Sequence, residues 1–289
     1  MEKKVIKVIK GINYEKCNSC YICVSTCPEC FKKAEEQNKI IFDDPQNQCS
    51  TCGRCICKCQ KDAILYENMG EFLSFDGVEN LSALIPYEKV HNFMIAKRSI
   101  RSYKKKKVPR TILEKVLNSM RYAPAGANMR TLKCTVISGE NKIKRLSEAI
   151  MDKIITSNTQ TIMDMFQITY IENAIAYAEG MKNAKESGID PIFYDAPVVM
   201  IIHSDYPADD MNATIALTYG MFSAQSLGLG SCWIGLAQGV FSSSKEIQEK
   251  IAGVKGNVWG VITLGYFSHK FFYVPPRPPI PTTGLEDLV

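Results

Sequence analysis

Four cysteines, Cys17, Cys20, Cys23 and Cys27, stand at the spacing C-x2-C-x2-C-x3-C, and the pattern returns in full at Cys49, Cys52, Cys55 and Cys59. Every cysteine of the second run follows its counterpart by the same interval, 32 residues (17 to 49, 20 to 52, 23 to 55, 27 to 59). Thiols this close in sequence cannot all close into disulfides without severe geometric strain. A soft metal centre is the natural occupant. Whatever else the chain folds into, this segment must gather its sulfurs around metal.

Structural zinc sites split into two C-x2-C pairs across a longer loop, whereas here three cysteines follow one another at consecutive x2 steps. Runs of this kind bind bacterial-type iron–sulfur clusters, with the fourth cysteine of each run serving the other cluster. The expected ligands are Cys17, Cys20, Cys23 and Cys59 on one [4Fe–4S] cluster, and Cys49, Cys52, Cys55 and Cys27 on the other. The crossing staples together a segment with little apolar core. This half resembles the two-cluster bacterial ferredoxins, including Pro28 after Cys27 and the Asp62-Ala63-Ile64 that follows the second run. Gln60 departs from the resemblance, standing where proline usually follows the last cysteine. That position shapes the loop and is not a ligand. Cys30 and Cys57 fall outside the pattern and are expected as small buried thiols.

The cysteine count bears on compartment. Twelve cysteines would suit a secreted disulfide scaffold, but ten lie in the first 59 residues, and Met1-Glu2-Lys3-Lys4 offers no apolar leader core. No apolar run approaches membrane-spanning length. A reducing, cytoplasmic setting is expected. A net charge of +5 over 289 residues gives no strong nucleic-acid or membrane signal. The lysine run 104–107 lacks the aromatic interleaving of a nucleic-acid surface and reads as solvated.

At 289 residues the chain has room for one large or two ordinary domains. Residues 5–12, 40–42 and 63–66 read as short strands around the cysteine loops, and 67–86 as a connector rich in glycine and acids. From Pro86 the character changes. Pro86 suits the first turn of a helix with Val90, Phe93 and Met94 on its apolar face. A second helix is expected over 111–121, a strand over 132–138 and a helix over 142–155. Residues 159–190 read as mostly helical without sharp caps. The continuous apolar run 197–203 suits a central strand covered on both faces. A helix over 212–227, a strand over 232–236, a capping box of Ser243 and Glu246 opening a helix to Ile251, and a last strand over 258–267 follow. A proline-rich tail, 275–281, closes the chain. The pattern is α+β, with helices on a mixed sheet.

Three stretches of this half carry chemistry. Lys97-Arg98-Ser99-Ile100-Arg101-Ser102-Tyr103 puts guanidiniums and hydroxyls on a short turn, which suits a phosphate, although spacing alone favours a solvated basic face, the default role of Lys and Arg. Ala123-Pro124-Ala125-Gly126-Ala127-Asn128 permits close backbone approach to a flat ligand, with Asn128 offering donor and acceptor. Gly228 to Leu236 reads alone as a tight helix-to-strand turn. His91, His203 and His269 lack metal-ligand spacing. Cys134 and Cys232 lie in apolar strands and read as packing.

Taken together, Arg-Ser-x-Arg-x-Tyr, Ala-Pro-x-Gly-x-Asn and Gly-Leu-Gly-x-Cys-Trp-Ile-Gly resemble the FMN-dependent nitroreductase family, in that family's order. Leu264-Gly265-Tyr266 and Arg277 also match. The resemblance implies a ferredoxin-like 2[4Fe–4S] domain over 1–70, a linker over 71–86 and a nitroreductase-like FMN domain over 87–289. It implies that Lys97, Arg98, Ser99 and Arg101 hold the FMN phosphate and ribityl chain, with Arg277 as a second grip. Pro124, Ala125, Gly126 and Asn128 would line the isoalloxazine from the partner subunit of a homodimer. Trp233, Ile234, Gly235 and Leu236 would lie along the ring. Arg130 and Thr131 depart from the family, standing where many members have glutamine and proline.

The implied activity is an oxidoreductase drawing electrons from a ferredoxin or NAD(P)H and delivering them to an electron-poor small molecule such as a nitroaromatic or quinone. No side chain is expected to act as acid or base. Phe166, Tyr170, Phe193 and Tyr194 are candidates for the substrate wall, but aromatics in such segments are more often core. The alternative function is an electron carrier that serves a partner protein without small-molecule turnover.

Overall fold

A computed structural model describes residues 8–34, 39–70, 73 and 81–285. The expected connector therefore lies largely outside the described residues, as do residues 5–7 of the first expected strand. By their contacts the residues fall into two compact units. One takes the described residues up to Leu84 together with Ala125–Arg130; the other takes Ile85–Pro124 and everything from Thr131 onward.

The first unit is two short antiparallel ladders and two short helices. β1 (Ile9–Ile12) pairs with β4 (Ile64–Tyr66), and β2 (Phe31–Lys33) with β3 (Ile40–Phe42). α1 (Ile22–Thr26) and α2 (Arg54–Lys58) repeat at the same interval as the cysteines. β2 was not legible from Phe31-Lys32-Lys33. It forms because Phe31, 1 % exposed, buries its ring 5.1 Å from that of Phe42 across the ladder. The small core is Ile9, Ile12, Phe31, Ile40, Ile56 and Ile64 with Cys23, Cys30 and Cys55 among them.

The second unit is built on a four-stranded sheet in the order β5 (Lys133–Ser138), β6 (Val198–Ser204), β8 (Asn257–Gly265), β7 (Gly230–Trp233). Every pairing among these strands is antiparallel, not mixed as expected; the parallel element is an isolated bridge between Ser99 and Ser231. All of β6 is buried. Because side chains alternate across a strand, Val199 and Ile201 enter one core and Val198, Met200 and Ile202 the other.

Three helices cover one face, with α9 (Gly235–Ser243) beside them. These are α5 (Glu140–Thr156), α6 (Thr159–Phe166) and α7 (Ile171–Glu186). The other face carries α4 (Arg110–Met120) and α8 (Asp210–Ser226). α3 (Tyr87–Ile95) attaches to α8, where Gln225 Nε2 donates to the Phe93 carbonyl at 2.6 Å. Of its expected apolar face Phe93 is half-buried, while Val90 and Met94 are exposed. No helix among the described residues is long and apolar enough to cross a membrane.

Several local readings need correction. Residues 235–236 open α9 instead of continuing a strand, because the chain turns at Ile234, whose N–H is held by the Val261 carbonyl. The box of Ser243 and Glu246 does not form. Ser243 closes α9, its hydroxyl bonded to the Val240 carbonyl, and Ser244 Oγ accepts from Ile247 N–H as the chain enters a π-helical turn, Ile247–Ile251. α6 does have a sharp cap: Asn158 Oδ1 accepts the Thr161 N–H at 2.8 Å.

Phe193 is fully buried in the larger core and is not a substrate wall. Phe193→Ala should cost about 3–5 kcal/mol, the usual range for emptying a packed aromatic site. Chemical denaturation of the full-length protein reads it, and a loss under about 1 kcal/mol would contradict this burial.

Candidate functional site

Cys17, Cys20, Cys23 and Cys59 line one cavity, with Ile12 and Ala63 on its apolar side. Cys59 arrives from the far end of α2, and its sulfur accepts the Ala63 N–H at 3.2 Å. In the second set, burial pushes the Cys55 thiol up to about 11, and Cys49, Cys52 and Cys27 add to the rise. The thiols that raise Cys55 are thus those of Cys49, Cys52 and Cys27. Burial also raises Cys23, helped by Cys17 and Cys20.

The backbone between the ligands is wound for an anionic occupant. Ser19, Tyr21, Thr51 and Gly53 have φ of 56, 59, 53 and 73°. Left-handed residues alternating with ordinary ones turn successive N–H groups into a concave nest, a motif common at iron–sulfur sites. Zinc at 2.3 Å from each sulfur would draw a tetrahedral set to about 3.8 Å apart. Among the described residues neither four-cysteine set closes to within 4.8 Å throughout. That is not the geometry of a closed zinc site.

The group that does close to within 4.8 Å is Cys30, Asp44 and Cys49. Asp44 is 6 % exposed and accepts the N–H groups of Gln48 at 2.7 Å and Cys49 at 3.2 Å. Burial pushes the Cys30 thiol up to about 12, and its contact with Cys27 adds to the rise. Cys30 is buried as expected; Cys57 is not, since α2 turns Cys55 and Ile56 inward and Cys57 to solvent. Sequence reading missed Asp44. The signal was an acid shortly ahead of Cys49, comparable to Asn13 ahead of Cys17.

Ala125–Arg130 belongs to this same unit. Gly126–Asn128 forms one tight turn, with Ala127 and Asn128 at φ 48 and 53°. Asn128 Nδ2 donates to the carbonyls of Ser50 and Thr51, at 3.1 and 3.0 Å. Its Oδ1 accepts from Arg130 at 2.7 Å. Donor and acceptor, expected for a flat ligand, are both engaged within the unit; Pro124 lies in the other.

In the second unit the basic turn meets β7. Ser99 bridges Ser231, the Ile100 N–H donates to the Ser231 carbonyl at 3.0 Å, and Lys97 Nζ donates to the carbonyls of Arg98 and Ser231, at 2.6 and 3.3 Å. Burial lowers the Lys97 amine from its ordinary range. Gly230 permits the approach: a Cβ there would meet Ile100 Cγ1 at 2.5 Å. Burial raises the Cys232 thiol, opposed by Arg101, Ser99 and Lys97 around it. Ser231 Oγ is buried without a hydrogen-bond partner.

This corner therefore holds cations, hydroxyls and an unsatisfied buried polar atom, which fits a phosphorylated ligand. The Arg101 guanidinium lies 5.9 Å from the centre of the Tyr194 ring. Tyr103, unassigned by the sequence, locks the turn through its hydroxyl to Ile100 O at 2.8 Å and to Thr263 Oγ1 at 2.7 Å.

Trp233 Nε1 donates to Gln238 at 3.1 Å, and Ile234, Gly235 and Leu236 follow into α9. Arg277 lies in the exposed C-terminal segment, joined to the basic turn by no described hydrogen bond or ion pair. Tyr170 is exposed, and Phe166 packs on the core beside Tyr177. His203 is structural, with one ring nitrogen on Thr135 Oγ1 and the other on the Lys255 carbonyl.

A family model described as the nitroreductase family matches residues 95–266. Among solved structures, an FMN-bound nitroreductase from Bacteroides fragilis is similar at 23% identity and a TM-score of 0.52, covering 68% of this chain and 96% of its own. An FMN-bound nitroreductase from Desulfitobacterium hafniense aligns at 16% identity and a TM-score of 0.51, covering 70% and 96%. No curated protein sequence matches. These likenesses concern the fold of the second unit's sheet and helices.

Proposed function

The chain belongs to the nitroreductase family, and from that membership we propose that it is an FMN- and iron–sulfur-dependent oxidoreductase. It would take electrons from an external low-potential donor, a reduced ferredoxin or NAD(P)H. Two [4Fe–4S] clusters and FMN would connect that donor to an electron-poor small molecule such as a nitroaromatic or quinone. The observation that carries the proposal is the convergence of Cys17, Cys20, Cys23 and Cys59 on one cavity, in a chain whose family model covers residues 95–266. A simple nitroreductase has no use for such a set.

When bound, FMN supplies the hydride and single-electron chemistry that protein side chains lack. The chain's own residues hold and orient it. Lys97, Arg98, Ser99 and Arg101 grip the phosphate and ribityl chain, with Arg277 as a second grip. Trp233, Ile234, Gly235 and Leu236 would lie along the ring. In a homodimer, Pro124, Ala125, Gly126 and Asn128 would line the ring from the second copy, Asn128 by its backbone, since its amide is engaged. Asn128 also anchors Ser50 and Thr51, between the ligands Cys49 and Cys52. The metal is held by Cys17, Cys20, Cys23 and Cys59, and by Cys49, Cys52, Cys55 and Cys27. We place the protein in the cytoplasm, where reduced thiols persist.

Anaerobic stopped-flow tests the relay. With Cys17 and Cys49 both replaced, reduction of FMN by a reduced ferredoxin should lose its fast phase while FMN content holds. An unchanged rate would rule the relay out. Steady-state turnover of a nitroarene or quinone with the same donor separates an enzyme from a carrier that serves only a partner protein.

A further inference from the structure

The two halves of the cysteine unit follow one plan, so each serves as a control for the other. α1 and α2 recur at matching positions, each entered through a left-handed residue, Tyr21 or Gly53. Ser19 and Thr51 repeat the same twist between the first two ligands of each run. The loop ahead of each run is held by one side chain that accepts two backbone N–H groups. In the first half this is Asn13, whose Oδ1 takes Glu15 at 2.9 Å and Lys16 at 3.3 Å. In the second it is Asp44, which takes Gln48 and Cys49.

The halves therefore differ in the charge of the side chain that holds the loop ahead of each run. Asn13 is neutral and half-buried. Asp44 is buried, and among the described residues no cation pairs with it; the nearby Lys32 pairs with Asp43 at 3.3 Å. An Asp44 oxygen lies within 4.8 Å of Cys49 Sγ. The other acid at a comparable place is Asp62, the counterpart of Cys30 in the repeat. It sits at the surface and is neutralised by Lys16 at 2.8 Å.

We infer that the two clusters are held at different reduction potentials, the one on Cys27, Cys49, Cys52 and Cys55 being harder to reduce because the buried Asp44 carboxylate stands beside it. The inference rests on the iron–sulfur reading above. Each cluster gains one negative charge when it accepts one electron. A fixed buried charge nearby opposes that gain far more than an amide does. Asp44 is thus a positioning and tuning residue, and the first electron to enter the chain settles on the Cys17 side.

The test is a redox titration of the anaerobically purified full-length protein, followed by electron paramagnetic resonance. Two separate reduction waves are expected, and Cys52→Ala should delete the lower one. Asp44→Asn should shift the lower wave upward and leave the other in place. The mirror change, Asn13→Asp, should shift the upper wave downward, by less because Asn13 is more exposed. Coincident waves in the unaltered protein would overturn the inference, as would a lower wave unmoved by Asp44→Asn. Should Asp44→Asn fail to retain its cluster, an upper wave unmoved by Asn13→Asp would overturn it instead. Protein that binds no iron refutes the cluster assignment itself, a result visible before any titration begins.

Discussion

Cys59→Ala is expected to halve the iron bound per chain by vacating the site of Cys17, Cys20 and Cys23, not that of its own run. Cys59 lines the same cavity as those three thiols, and it is brought there by α2 and by the Ala63 N–H on its sulfur. Iron content alone cannot distinguish a crossed from an uncrossed arrangement, because either loses one cluster. Double substitutions can. If the ligands cross, Cys59→Ala combined with Cys20→Ala still leaves half the iron, since both remove the same cluster. Combined with Cys52→Ala it leaves none. An uncrossed arrangement reverses the two results. Non-additivity of this kind is the signature of residues acting as one unit. The losses should also lower the midpoint for unfolding of the N-terminal unit, because metal binding contributes directly to the folding of a segment with so small a core.

The second large effect is on flavin retention. Arg101→Ala should weaken FMN binding roughly 10- to 150-fold, the range for removing one charge-assisted hydrogen bond worth about 1.5–3 kcal/mol. Lys97 already has two backbone carbonyls to hold, so Arg101, ranged against Tyr194 and Cys232, is the cation better placed for a phosphate. Arg101→Lys should recover only part of the loss, because an ammonium cannot reproduce the guanidinium fork. Titration of FMN into flavin-free protein by fluorescence quenching measures this, with iron content as the control. An unchanged dissociation constant would move the phosphate away from this turn.

What the sequence made legible follows from where the physical demand is local. Eight cysteines in a repeated spacing declare their chemistry because ligands must be close in the chain to be close in space at low entropic cost. The run that became β6 was readable because a strand buried on both faces must be apolar throughout. α9 was missed for an opposite reason. Gly239 looks like punctuation, yet it lies mid-helix where a Cβ would stand 2.5 Å from the Met165 carbonyl, so it marks close packing of α6 on α9. The capping box failed by one register, since Ser243 and Ser244 are adjacent and only the fold selects between them. The role of Asp44 depends on Cys30 and Cys49 meeting it from other loops, and no local pattern carries that. The assignment of Lys97, Arg98, Ser99 and Arg101 came from family likeness; their own spacing favoured a solvated face.

The order β5-β6-β8-β7 leaves β7 with a single neighbouring strand, while β6 is flanked on both sides. An edge segment frays at far lower free energy than a central one. Ser231, Cys232 and Trp233, secured on their outer side only by the bridge to Ser99, should therefore exchange their amide protons with solvent ahead of those of β6.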